Sequence, residues 1–228
     1  MPFFSKVFGH KDGSRTNVKK QPEQINSHIL APPPRRFVST WNSKELVLEE
    51  VEDLIHACTL EIKSRAEALD TPFLLLPYRP DIDSNSSRMF IGNFFKANMQ
   101  GSRDYTGSAL RQELRLTEPE ILCSILKWCW SRIPGGVVTW NVYEMFRVGE
   151  DESNMAKNAF ETFIPLSVDS PSRKNIIYDF FDLLAAIAAH GKVNGLGGRK
   201  LSRMAGWWAF ELSDDGKGFD GGYRSWAE

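Results

Sequence analysis

The feature that most constrains this fold is an apolar repeat at three- and four-residue steps within the stretch TEPEILCSILKWCWSRIPGGVVTW. That period is typical of one buried face of an α-helix. Thr117 and Glu120 have the spacing of a capping box, and Pro119 suits a first helical turn. The sequence therefore predicts a buried helix over residues 118–132. The Pro-Gly-Gly sequence that follows should end this helix.

Four residues of this helix lie away from a simple apolar stripe. Lys127 and Ser131 fall off the stripe, so we expect them on a cationic flank of the helix. Trp128 and Trp130 point to roughly opposite sides. One is expected in the core, and the other is either an interface anchor or a second core residue.

Similar helical patterns recur along the rest of the chain. A long amphipathic helix is predicted over residues 43–69, and the most apolar helix runs from Ser170-Pro171 to about Ala189. The latter should end at His190-Gly191, with the glycine as a left-handed cap. Shorter helices are predicted around residues 89–95, 109–116, 139–148, 152–163 and 199–212. Because no strand pattern alternates with them, the predicted fold class is all-α, a bundle of eight or nine helices.

Charge divides the chain into a basic tail and a mildly acidic remainder. Residues 1–40 carry seven Lys or Arg against two acids, a net charge of about +5, which leaves about −6 elsewhere. This balance argues against a general nucleic-acid binder. We expect a disordered, Pro-containing tail over residues 1–40 and one helical domain over residues 41–228. The unfinished helical pattern of YRSWAE suggests a domain cut short at its C-terminal end.

Residues 1–20 leave two interpretations open. Phe3, Phe4, Val7 and Phe8 stand near several lysines, a combination that can rest on an anionic membrane surface. The alternative is a flexible tail with scattered aromatic residues. Pro2 excludes N-myristoylation, which requires a glycine at that position.

Cysteine usage and the absence of long apolar runs indicate a reduced, cytoplasmic protein. Cys58, Cys123 and Cys129 form no Cys-x-x-Cys pair and fall within helical patterns, as core thiols do. His56 has no second His or Cys at ligand spacing, so no metal is expected. No nucleophile motif, phosphate loop or other cofactor signature occurs, so the residues alone predict a binding module that needs no cofactor rather than an enzyme.

Several segments give the chain a resemblance to known proteins. LRLTEPEILCSILKWCWSRIPGGVVTW and FFDLLAAIAAHGKVNGLGGRKLSRMAGWWAF resemble the fungal family of bud-emergence and cell-wall regulators, which includes a meiotically up-regulated fission-yeast member. Its N-terminal region is classed as RhoGAP-like, after the helical domain that accelerates GTP hydrolysis by Rho-type GTPases. The segment LLLPYRP, followed by Phe94, and the pairs Leu126-Lys127 and Ile133-Pro134 are similar to RhoGAP motifs in order and spacing.

The resemblance implies a set of site residues. Arg79 matches the arginine finger, which stabilises charge on the transferred phosphoryl group. Lys127 matches the lysine that supports that finger and meets the GTPase. Further GTPase contacts are implied at Ser131, Arg132, Asn194 and Lys200. Two positions depart from the RhoGAP pattern, because Ser131 replaces an arginine and Lys200 replaces an asparagine.

These departures favour a domain that binds a Rho-type GTPase or a polarity scaffold protein without strongly stimulating hydrolysis. We expect such a domain to act in fungal polarised growth and cell-wall signalling, in the cytoplasm and at the cell cortex. One alternative is an active GTPase activator that uses Arg79 as its finger. The other is a membrane-associated polarity scaffold that contacts no GTPase.

Overall fold

The fold is known from a computed structural model that describes residues 37–71, 85–100, 107–153, 161–162 and 164–210, apart from the side chains of 149–153 and 207. All of them belong to one compact unit, Arg35–Glu228. These described residues form ten helices and no strand, which confirms the all-α class. The helices are α1 (Leu48–Lys63), α2 (Ala66–Asp70), α3 (Asn85–Met99), α4 (Ser108–Leu116), α5 (Pro119–Trp130), α6 (Trp140–Ser153), α7 (Ile164–Ser167), α8 (Pro171–Ala189), α9 (Gly191–Asn194) and α10 (Gly198–Ala209).

Helices α1, α5 and α8 form the centre of the bundle. Helix α8 runs parallel to α1, because Glu52, His56 and Lys63 bond in order to partners along α8. Helix α5 runs antiparallel to α1, since Leu46 N–H donates to the Arg132 carbonyl just before α1 begins. The three helices bury their apolar faces against one another, and this burial is the main source of stability in such a fold.

Helix α5 agrees with the prediction in position but not in its cap or its flank. It begins with Pro119 at the first turn, whereas Thr117 donates its hydroxyl to the Glu113 carbonyl at 2.8 Å and so closes α4. The predicted capping box is therefore wrong. Trp128 and Trp130 are both buried, which selects the second of the two interpretations. Lys127 is only 6% exposed, so its predicted place on a cationic flank is also wrong.

The helix predicted over residues 43–69 is two helices separated by Ser64 and Arg65. The Arg65 guanidinium donates to the carbonyls of Leu114, Arg115 and Thr117, at 2.8 to 3.0 Å. These carbonyls lie at and just after the C-terminal end of α4, where the last helical carbonyls lack their usual partners four residues on. The break at the end of α1 thus lets the Arg65 side chain bond to the end of α4. This contact is distant in sequence, so the periodicity of α1 does not reveal it.

The Pro-Gly corner after α5 is held by a buried arginine of α8. Arg173, 3% exposed, donates to the Pro134 carbonyl at 2.9 Å and to the Gly136 carbonyl at 2.5 Å. Gly135 and Gly136 have φ of 71° and 77°, a left-handed conformation that favours glycine. The corner fixes the N-terminal end of α8 against the C-terminal end of α5.

The end of α8 also differs in detail from the prediction. The helix begins at Pro171, close to the predicted start, and the Ser170 side chain caps it by accepting from the Arg173 N–H. The left-handed residue is Gly195, with φ 70°, after the added short helix α9, and not Gly191. His190 bonds through Nδ1 to Asp70 at 2.7 Å, which ties this end of α8 to α2.

Residues 37–40, which lie on the tail side of the predicted boundary at residue 41, contact the helical bundle. The buried carboxylate of Glu50 accepts from the backbone N–H groups of Val38 and Ser39, at 2.7 and 2.8 Å. Phe37 packs edge-on against Phe94 of α3. Residues 37–40 therefore pack on the surface of the helical bundle.

Some predictions fall outside the described residues. They concern Arg79, the tail before residue 37, much of the helix over residues 152–163, and YRSWAE. Among the helices that are described, none is long and apolar enough to cross a membrane.

Candidate interaction surfaces

The described members of the predicted site lie at opposite ends of the bundle. The Arg132 carbonyl bonds to Leu46 before α1 begins, whereas Asn194 bonds to Leu69 beyond the end of α1. Helix α1 has 16 residues, which at 1.5 Å per residue is about 24 Å of separation. The structure therefore brings Lys127, Ser131 and Arg132 together and places Asn194 and Lys200 elsewhere.

At the first end, the predicted residues contact one another and the core. Ser131 follows α5 and accepts its hydrogen bond from Arg132 Nη1 at 3.1 Å. The Arg132 guanidinium also lies over the Trp128 ring, 4.7 Å from its centroid. Burial among these groups lowers the pKa of Arg132 from its usual range, but the guanidinium stays charged at neutral pH. Arg132 is thus a half-buried cation set on an aromatic ring.

Trp41 extends this cluster towards α3. Its ring stacks on Trp128 with centroids 5.2 Å apart and planes 9° apart, and Arg88 of α3 lies 5.8 Å from the Trp41 centroid. Two shallow depressions flank Trp41. One is lined by Thr40, Trp41, Asn42, Gly92, Phe95, Lys96, Met99 and Gln100, and the other by Trp41, Asn42, Ser43, Lys44, Ser131 and Arg132.

At the other end, Asn194 connects three parts of the backbone. Its side-chain amide donates to the carbonyls of Leu69 and Ile187, at 2.8 and 2.9 Å, and its Oδ1 accepts from the Leu196 N–H at 2.8 Å. Asn194 is 5% exposed. These bonds use its hydrogen-bonding groups within the fold, so its position is that of a structural connector.

Lys200 belongs to an exposed cation cluster on α10, which we call the α10 basic face: Arg199, Lys200 and Arg203. Leu201, Ala205 and Trp208 bury the other side of this helix. Within the described residues, no ion pair forms with any member of the α10 basic face. Sequence reasoning named only Lys200, although the stretch between Asp182 and Glu211 holds four Lys or Arg and no acid.

His56 belongs to a row of polar contacts between α1 and α8. Its Nδ1 lies 2.8 Å from an Asp179 carboxylate oxygen, and Lys63 pairs with Asp182 further along. Burial raises the pKa of Asp179, and the bond to His56 opposes that rise. No group of His, Cys, Asp and Glu that could hold a metal occurs in the described part of the chain.

Comparison with known proteins gives two relatives. The Morphogenesis-related protein MSB1 of Saccharomyces cerevisiae is 29% identical over 214 residues, which cover 88% of this chain and 18% of that protein. The Meiotically up-regulated gene 8 protein of Schizosaccharomyces pombe is 30% identical over 188 residues, or 78% of this chain and 25% of that protein. The chain thus spans about a quarter or less of either relative. No solved structure shows a significant match.

The comparison with protein families covers most of the chain. The family described as Meiotically up-regulated protein Msb1/Mug8 domain matches residues 45–228. That range includes all ten described helices, and it agrees with the fungal family to which the sequence showed a resemblance. The RhoGAP part of the resemblance stays a prediction. The chain belongs to the Meiotically up-regulated protein Msb1/Mug8 domain family.

Proposed function

We propose that this domain binds a Rho-type GTPase during fungal polarised growth and does not strongly stimulate GTP hydrolysis. On this proposal the domain acts as an adaptor that binds the GTPase at the cell cortex, where the GTPase takes part in morphogenesis. The name of the relative MSB1, a morphogenesis-related protein, supports the setting. The GTPase as partner rests on the RhoGAP resemblance, and the contact surface rests on the structure described above.

The observation that carries the proposal is the α10 basic face. Its three cations are exposed and form no ion pair among the described residues, so an acidic partner surface would meet them without first breaking internal bonds. Met204 lines the same shallow depression as the three cations and adds apolar area to it. Lys200 is both a member of this face and a residue for which the resemblance implies a GTPase contact.

The burial of Lys127 supports binding without catalysis. In the resemblance this lysine supports the arginine finger and meets the GTPase, but here its side chain is 6% exposed. A lysine so placed would have to leave the core to reach a partner, at the cost of the packing around it. The adaptor proposal needs no such movement.

The test is a binding assay together with single-turnover GTP hydrolysis on the same samples. We would measure the 228-residue chain against a panel of fungal Rho-type GTPases, each loaded with GDP or a GTP analogue. The variant Lys200→Glu/Arg203→Glu should weaken binding by about tenfold or more, since like charges would face an acidic partner. Arg111→Glu reverses an exposed cation of α4 and should leave binding unchanged.

Three results would count against the proposal. Binding to no GTPase would remove the partner, and equal losses in the α10 and α4 variants would remove the α10 basic face as the contact. Acceleration of hydrolysis by about tenfold, roughly 1.4 kcal/mol off the barrier, that disappears in Arg79→Ala would establish the active GTPase activator instead. Higher salt should weaken the expected binding, because exposed charges are screened.

A further inference from the structure

A second surface, at the opposite end of the bundle from Asn194, has the features of a peptide-docking site. It is the depression between Trp41 and α3, about 380 Å³ in volume, which we call the Trp41 depression. Its apolar lining is Trp41, Gly92, Phe95 and Met99. Met99 is 47% exposed, while Phe95 is buried and forms the floor.

Gly92 is the residue that opens this depression. It lies in the interior of α3, where glycine costs about 1 kcal/mol relative to alanine. A Cβ at this position would meet no atom within 4 Å among the described residues, so packing within them does not require a glycine. The helix thus accepts a local loss of stability where a side chain would fill the Trp41 depression.

The charges around the Trp41 depression have one sign. The charged residues that line it and the adjoining groove are Lys96, Lys44 and Arg132, and none of the lining residues is acidic. Arg88, over the Trp41 ring, adds a fourth cation at the rim. A single-sign rim selects a partner of the opposite charge and disfavours basic segments.

We infer that the Trp41 depression binds a short acidic segment of a partner protein, with one large apolar side chain inserted beside Gly92 and flanking Asp or Glu carboxylates on the cationic rim. The apolar anchor would lie between the Trp41 ring and Met99. Lys96 and Lys44 stand on either side of Trp41 to pair with the flanks. This site goes beyond the proposed GTPase contact, because it shares no lining residue with the α10 basic face.

Two phage-displayed libraries of short peptides would serve as probes, each with a central Leu, Phe or Trp. One library has Asp and Glu in the flanks, and the other has Lys and Arg. The 228-residue chain should enrich peptides from the acidic library only. Enriched peptides would then be synthesised and titrated against the wild-type chain and its variants by fluorescence anisotropy.

The variant Gly92→Leu separates binding from folding. Leucine is a better helix former than glycine, so the variant should melt no lower than the wild type. It should nevertheless lose at least about tenfold in peptide affinity, because the new side chain occupies the anchor position. Asn93→Leu places the same side chain on an exposed neighbouring position outside the lining and should keep the affinity.

Charge reversal gives an independent readout. Lys96→Glu should weaken the peptide by about tenfold, as expected when a like charge faces a partner carboxylate, whereas Arg111→Glu on α4 should not. The inference would be overturned by enrichment of basic peptides, by enrichment of none, or by full affinity in Gly92→Leu. Concentration-dependent dimerisation that Gly92→Leu abolishes would assign the Trp41 depression to a second copy of the chain and overturn it as well.

Discussion

At the scale of single residues, Glu50 shows how one buried carboxylate holds the segment before α1 on the bundle. Its two oxygens accept from the N–H groups of Val38 and Ser39, and the group is 6% exposed. We expect Glu50→Ala to lower the free energy of unfolding by about 2 to 3 kcal/mol, because two donors to a charged group lose their acceptor. Urea denaturation would measure it.

The neighbouring Glu49→Ala is the matched control for this prediction. Glu49 is an exposed first-turn acid of α1, so its removal should cost no more than about 0.5 kcal/mol. Equal losses in the two variants would mean that Glu50 acts only as a charge near the helix start. Such a result would contradict the role of its hydrogen bonds.

Asp179 makes a prediction about pH. Burial raises its pKa in the folded state, so its contribution favours folding below the unfolded value of about 3.9 and is lost as pH rises through the folded pKa. Asp179→Asn keeps an acceptor for His56 but never carries a charge. Its melting temperature should therefore exceed that of the wild type at pH 7, and the gain should disappear near pH 4. A lower melting temperature at pH 7 would show that the bond to His56 outweighs the cost of burial.

At the scale of helices, the apolar periodicity and the helix-start residues were enough to predict the position of helices that bury one face. Helices α5 and α8 begin at Pro119 and Pro171, close to the predicted starts, because a helix-start proline and a three-to-four repeat are local signals. Burial of Lys127 was not predictable in the same way. Every residue from Leu122 to Trp130 is buried, because α1, α3 and α10 all pack against α5, and the pattern of a single helix does not report these contacts.

The corner between α5 and α6 is held by α8, a helix distant in sequence, through Arg173. Substitution of Arg173 tests this dependence. The side chain is 4% exposed and also pairs with Asp169 at 3.0 Å. Arg173→Met should lower the free energy of unfolding by about 3 kcal/mol, because it removes the ion pair with Asp169 and leaves the Pro134 and Gly136 carbonyls without this donor. At this chain length the melting temperature should fall by about 6 to 12 °C.

Arg147→Met on α6 controls for the loss of an arginine as such. Arg147 pairs with Glu144 at 2.9 Å, but its side chain is 52% exposed, so the change should cost no more than about 0.5 kcal/mol. If Arg173→Met were equally mild, the corner would be held by the glycine conformations and not by the arginine. Calorimetric melting of both variants would decide between these causes.

At the scale of the whole molecule, the predicted site residues fall into two groups at opposite ends of the bundle. Sequence spacing indicates which face of a helix a residue lies on, but it does not indicate at which end of the bundle that residue lies. Ser131 with Arg132, and Asn194 with Lys200, are each close in the chain, but their distance apart depends on how α1, α5 and α8 are oriented. Nothing local in the sequence encodes that orientation. The α10 basic face was more accessible to sequence reasoning, since a long stretch without acids already marked it.

The three thiols test the integrity of the whole bundle. Cys58, Cys123 and Cys129 lie in α1 and α5 and are buried and free. Burial raises the pKa of Cys123 and Cys129 to about 12, so at pH 8 only about one in ten thousand of each is thiolate, against about a quarter in an unfolded chain. A chromogenic disulfide reagent should therefore react with almost no thiol in the native protein and with all three after denaturation. Rapid native reaction of one thiol would mean that α1 and α5 separate locally, and the buried centre described above would then be wrong.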